Sequence, residues 1–336
     1  MYLDFFGLRE NPFSLVSDAR FLYYSESHCE AMAHLLYGIR ERKGIILLLG
    51  EAGTGKTTLV RATLEMLKST RVLPSVILNP LMSQPEEFLE AVLKGFGLQI
   101  RRRSNAEMCE TLQTFLVQQT GKRMIPVLIV DEAQGLSQQF LEQLRLLSNF
   151  EHAGHKLLQF VLAAQPEMQS ALDTFELRAL RQRILVRCRL TALNAQDCWN
   201  YLQTRLLRAG GDGRPIFTVA SVGAIFAFSA GIPRLMNALA DNCLLAAYAQ
   251  NSAAVDVSVV ETVAQDLELS SASAPGTSGI SVQRDVMRAS MSWKEIREDL
   301  RRGSVPQPLQ DFVEKLQVPG EPNRLARFAQ FSQKGQ

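Results

Sequence analysis

Five short apolar runs punctuate the first 190 residues of this 336-residue chain, at 45–49, 75–79, 127–131, 159–164 and 184–190. Between them apolar residues recur at helical spacing, as in Leu59–Leu67. Runs that are apolar at nearly every position suit strands covered on both faces, and strands alternating with helices predict an α/β fold around a mostly parallel sheet. After residue 190 the period changes. Trp199, Leu202 and Leu206, then Leu235, Leu239 and Leu244, follow helical spacing, and only Val255–Val260 reads as a strand. A helical domain is expected over 191–268. The uncharged stretch Pro215–Pro233 approaches membrane length, but Thr218, Ser221, Gly223, Ser229 and Gly231 interrupt it, so it reads as buried helix, turn and loop.

The chain divides accordingly. Residues 1–43 form an N-terminal lead and first helix, 44–190 the α/β core and 191–268 the helical domain. Ser270–Ser281, built of Ser, Ala, Gly, Pro and Thr, lacks the apolar content to order itself, which makes 269–281 a linker. Beyond it, 282–336 is expected to be a flexible tail with a slight basic excess; Trp293–Leu300 and Pro308–Leu316 are helical in pattern but short.

Composition alters this picture little. A net charge of +2 supplies no global field toward nucleic acid or membrane. Five cysteines, odd in number and without a Cys-x-x-Cys spacing, suggest neither a disulfide framework nor a zinc site. Met1–Glu10 carries aromatics and acids instead of a basic and then apolar stretch, so a cytoplasmic location is expected.

The first apolar run ends in Gly50-Glu51-Ala52-Gly53-Thr54-Gly55-Lys56-Thr57, a Gly-x-x-x-x-Gly-Lys-Thr phosphate-binding loop between a strand and a helix. The chemistry needs those residue types. Gly50, Gly53 and Gly55 allow a tight turn whose backbone N–H groups face phosphate oxygens, and the helix starting near Lys56 adds its positive end. Lys56 reaches the β- and γ-phosphates, the Thr57 hydroxyl ligates Mg²⁺, and Thr58 donates to the α-phosphate. ATP and Mg²⁺ are the expected ligands.

Hydrolysis needs more than a loop. Pro126–Val130 is a buried-type strand ending in Asp131 and Glu132. Asp131 is placed to hold Mg²⁺ through water, and Glu132 to polarise a water for in-line attack on the γ-phosphate. Gln159–Ala164 is another such strand, and Gln165 at its end is the candidate that touches both water and γ-phosphate.

With these residues in place, the chain resembles the AAA+ ATPases of the general secretion pathway protein A group. The likeness runs over about 1–268: Phe5-Phe6-Gly7-Leu8, Asn11-Pro12-Phe13, Ser27-His28-Cys29-Glu30-Ala31, the phosphate loop, Val130-Asp131-Glu132-Ala133-Gln134, Gln165-Pro166-Glu167, Leu177–Ile184 and Gly231-Ile232-Pro233-Arg234. It implies an AAA+ core with a helical lid. It also implies arginines that complete a neighbouring subunit's site, here Arg183 first and Arg178 second, and a lid arginine, Arg234, that reaches the γ-phosphate of its own subunit. A ring or filament of identical subunits follows, with a protein partner in a secretion, pilus or polysaccharide-export assembly. Transposition helper ATPases look similar across the core, so an ATP-gated DNA-binding or recruitment module is the alternative. Arg101-Arg102-Arg103 suits either DNA phosphates or a solvated turn. Membrane-linked members carry a transmembrane helix after the core; none is read here.

Overall fold

The computed structural model describes residues 1–68, 70–78, 82, 84–99, 104–270 and 279–301. The Arg101–Arg103 cluster, most of the expected linker and the Pro308–Leu316 pattern lie outside them. The described chain packs as two compact units, Ser27–Ala52 with Leu59–Leu190, and Met1–Glu26 with Gly53–Thr58 and the residues from Thr191 onward.

The chain opens on a short helix, α1 (Tyr2–Phe6), which belongs to the second unit. The first unit is built on α2 (Glu26–Arg40) from Ser27, β1 (Ile45–Gly50), α3 (Lys56–Leu67) from Leu59, β2 (Val72–Ile77), α4 (Pro85–Gly95), α5 (Asn105–Gly121), β3 (Ile125–Val130) and α6 (Gln138–Leu147). A small hairpin of β4 (Glu151–His152) and β5 (His155–Lys156) leads to β6 (Gln159–Ala164), α7 (Glu167–Leu172), α8 (Arg178–Arg183) and β7 (Ile184–Leu190). Five of these strands form one parallel sheet in the order β2-β3-β6-β1-β7. The expected α/β class is what the structure has.

Burial follows strand position. β1 and β6, central in the sheet, are buried at every residue, as their unbroken apolar runs require. On the edge, β7 alternates: Ile184, Val186, Cys188 and Leu190 point inward, while Leu185, Arg187 and Arg189 are exposed. The other edge strand corrects the expectation of 75–79, because β2 begins earlier and includes Pro74. An edge strand tolerates a residue without an N–H. Gln159, fully buried, ties the central strands together: its Oε1 accepts from the Gly44 N–H at 2.8 Å and its Nε2 donates to the Lys156 carbonyl at 3.1 Å. Helix α5 starts on a reciprocal cap, with Ser104 bonding the Glu107 N–H and Glu107 returning to the Ser104 N–H at 2.9 Å.

The second unit carries α9 (Ala195–Arg208), α10 (Val219–Ser229), α11 (Pro233–Ala249), α12 (Val257–Asp266) and α13 (Gly279–Arg301). Its core joins Phe6, Leu8, Phe13 and Phe21 to Trp199, Leu202, Phe217, Met236 and Leu239. Residues 1–26 therefore pack with the helices, whereas the sequence grouped 1–43 together. Arg205 explains much of this. Buried on α9, it donates to the carbonyls of Pro12 and Ser14, and its guanidinium lies 5.0 Å from the Phe21 ring centre. Tyr23 adds a hydrogen bond of 2.8 Å to Asp197, and burial together with that carboxylate raises the tyrosine's pKa.

Two further expectations are corrected. Val255–Val260 is not a strand; apart from a single bridge between Phe217 and Val255, it enters α12, which buries Val259, Val260, Val263 and Ala264. β-branched residues read as strand by preference, but helical spacing of the buried positions wins here. The flexible tail expected from 282 is, through Arg301, one helix, with Val286, Ala289 and Trp293 buried on one face. Among the described residues no helix is long and apolar enough to cross a membrane.

Candidate active site

In the sheet, β6 lies between β3 and β1, with Val130 opposite Leu162 and Leu49 opposite Ala164. All three run parallel, so their carboxyl ends open on one edge, where α/β sheets take ligands. The chain leaves β3 at Asp131, which is buried and donates its N–H to the Ile77 carbonyl at 3.0 Å. It turns at once. Glu132 has left-handed backbone angles, φ 53 and ψ 40, and its N–H donates to Asp131 Oδ1 at 3.1 Å. The turn Ala133–Gly135 is closed by the Gly135 N–H on the Glu132 carbonyl at 2.9 Å. A non-glycine residue in that conformation costs about 1–3 kcal/mol and persists only where its surroundings impose it.

Side chains supply those surroundings. At the end of β6, Gln165 donates from Nε2 to Glu132 Oε2 at 3.2 Å. Two of the residues picked from sequence are thus brought together. The third member of the cluster is not among the site residues that the sequence indicates: Gln134 donates from Nε2 to the same Glu132 oxygen at 2.5 Å, and its Oε1 accepts the Gln165 backbone N–H at 3.0 Å. It stands two residues past Glu132, at the end of Val130-Asp131-Glu132-Ala133-Gln134. Nothing in the sequence says that its side chain folds back across the turn.

The phosphate-binding loop follows β1. Gly50 ends the strand, Glu51 and Ala52 are exposed, and Thr54 and Lys56 are buried. Thr57 and Thr58 are half-buried in the first turn of α3, which carries no acidic residue there. Gly53 and Gly55 take φ of 82 and 104, a conformation that side chains resist, so the loop can turn its N–H groups as a phosphate cradle needs.

Within the second unit, this loop meets the Gly231-Ile232-Pro233-Arg234 turn. The Arg234 N–H donates to the Gly53 carbonyl at 3.2 Å, while the Arg234 side chain is exposed. A Cβ on Gly53 would lie 2.7 Å from Arg234 Cβ and 3.1 Å from Ile232 Cγ2. Gly53→Ala therefore faces both an unfavourable φ and a collision. It should destabilise the protein by more than about 1 kcal/mol, seen as a lower midpoint in thermal unfolding, and weaken nucleotide binding in a calorimetric titration.

The other arginines sit on α8. Arg178 opens the helix and is exposed; Arg181 pairs with Asp173 at 2.8 Å. Arg183, the last residue, is half-buried and fastened twice, Nη1 to the Ala179 carbonyl at 3.1 Å and Nη2 to Asn149 Oδ1 at 2.9 Å. Nearby, hydrogen bonds from Arg145, with a smaller contribution from the Arg183 charge, hold the Glu142 carboxyl below its ordinary pKa.

A parallel sheet with a phosphate loop, a strand ending in Asp131-Glu132 and a following helical unit define an AAA+ P-loop NTPase, and the chain belongs to that class; residues 39–172 match the AAA domain family. It is related to general secretion pathway protein A of Aeromonas hydrophila, with 41% identity over 253 residues, 75% of this chain and 46% of that protein. The chain thus spans about half the length of that relative. Solved structures with the same fold include the ORC1 protein of Aeropyrum pernix in complex with DNA, at TM-score 0.60 and 17% identity, covering 96% of this chain and 85% of that one. Cdc6p of Pyrobaculum aerophilum gives TM-score 0.59 at 16% identity, covering 95% and 99% of the two chains.

Proposed function

We propose that this chain binds MgATP and hydrolyses it, and that nucleotide-dependent assembly of identical subunits drives or regulates a macromolecular machine of the secretion, pilus or polysaccharide-export type. One observation carries the hydrolysis reading: Glu132 is turned out of β3 in a strained conformation and met by Gln165 from the neighbouring strand. A solvated acidic turn has no need of either. In this reading Gly50–Thr58 hold the phosphates, with Lys56 as their main cation, and Glu132 accepts a proton from the attacking water. Thr57, through its hydroxyl, and Asp131 would hold Mg²⁺, which would supply charge neutralisation of the nucleotide's phosphates. Buried Lys56 and the positive-φ glycines suit such a ligand.

Relationship to general secretion pathway protein A supports the assembly role. The test begins with Lys56→Ala, which removes the cation facing the phosphates. ATP affinity should fall at least tenfold, about 1.4 kcal/mol, in a calorimetric titration. Undiminished affinity would make the loop structural. The ATPase rate with and without double-stranded DNA, at fixed salt, then separates the two biological readings. A rate insensitive to DNA favours the protein-assembly role.

A further inference from the structure

Gln134 is placed by the same turn that exposes Glu132, and its amide is spoken for at both ends. The acceptor end faces a backbone N–H, that of Gln165, at 3.0 Å. A backbone N–H can only donate, so Oε1 must point there, and this leaves the Nε2 donor directed at Glu132 Oε2, 2.5 Å away. Gln165 Nε2 donates to the same oxygen at 3.2 Å. The result is a closed ring of three side chains and one backbone group. It links the tip of β3 to the tip of β6, and both side-chain amides converge on one carboxylate oxygen.

We propose that Gln134 is a positioning residue for hydrolysis: it holds the Glu132 carboxylate in one orientation and couples that orientation to the position of Gln165. The proposal rests on the reading of Glu132 as the residue that activates water. The physical need is plain. Glu132 has three rotatable side-chain torsions and a strained backbone, and a carboxylate misplaced by about 1 Å can cost about 10²-fold in rate. One donor on a carboxylate fixes a distance, whereas two donors from different elements fix a direction as well. Because the other end of the Gln134 amide accepts from the Gln165 backbone N–H, any shift of the β6 tip is transmitted to Glu132.

The test uses the full chain and four variants, reading phosphate release for kcat and KM and calorimetry for ATP affinity. Gln134→Met keeps the volume and removes both hydrogen bonds. It should lower kcat about 10-fold or more while leaving KM and ATP affinity within about twofold. Gln134→Glu keeps the acceptor for the Gln165 N–H, and hence the staple that holds the turn to β6, but sets a second carboxylate against Glu132. It should fail to restore kcat; because it retains the structural bond, it also serves if the methionine variant folds poorly. In a Glu132→Gln background, adding Gln134→Met should cause no further loss, since Gln134 acts only through Glu132. Wild-type kcat in Gln134→Met, full recovery in Gln134→Glu, or losses that multiply in the double variant would each overturn the proposal. An inactive Glu132→Gln beside a fully active Gln134→Met would sink this inference alone; wild-type turnover by Glu132→Gln would sink the hydrolysis reading with it.

Discussion

Glu132→Gln should bind ATP as tightly as wild type and turn it over at least about 10²-fold more slowly. The substitution removes the base and little else. A glutamine at this position has the same length and still offers an oxygen to the Gln134 and Gln165 amides, so the ring at the tips of β3 and β6 survives. The backbone strain at position 132 is unchanged, because neither residue is favoured in the left-handed region. What is lost is the ability to take a proton from water, and general-base catalysis is worth about 10²–10⁴ in rate. Binding is expected to hold because Lys56 and the loop N–H groups are untouched. Equal turnover by the two proteins, measured as phosphate release at saturating ATP, would remove Glu132 from the chemistry.

How far the sequence reveals this arrangement depends on what each residue is buried against. Central strands are easy, since β1 and β6 are covered on both faces and their composition says so without help from period. The edge strand β2 is harder: Pro74 looks like a boundary but lies inside it, tolerable only because one side of the strand is unpaired. Helix α13 is hidden for a different reason. Its buried residues, Val286, Ala289 and Trp293, are few, and the polar remainder reads as solvated chain until a partner face is known. The attachment of residues 1–26 to the helical unit likewise turns on Arg205, a charge whose burial no local pattern announces. At the candidate site, Asp131, Glu132 and Gln165 are legible because strand ends are legible. Gln134 is not, because its role comes from a side chain doubling back onto β6, a long-range contact that spacing does not encode.

Arg183→Ala should retain ATP binding and lose most hydrolysis, by about 10³-fold if the guanidinium acts on a neighbouring subunit's nucleotide. Such an arginine supplies charge where the transition state develops it, and it works best when held rigid beforehand. The two bonds of Arg183, to Asn149 and to the Ala179 carbonyl, use two of its five N–H donors and fix the side chain on its own subunit. Arg178, exposed at the start of α8, should show a smaller loss of the same kind. Two measurements separate action between subunits from action within one. The specific activity of wild type should rise with protein concentration, since an isolated subunit lacks its neighbour's arginine. More decisively, mixing Arg183→Ala with Glu132→Gln subunits should restore part of the activity, because some interfaces then pair an intact Glu132 with an intact Arg183. A mixture no more active than its inactive components, together with concentration-independent wild-type activity, would mean a self-contained monomer. Arg183 would then be a structural tie between α8 and Asn149.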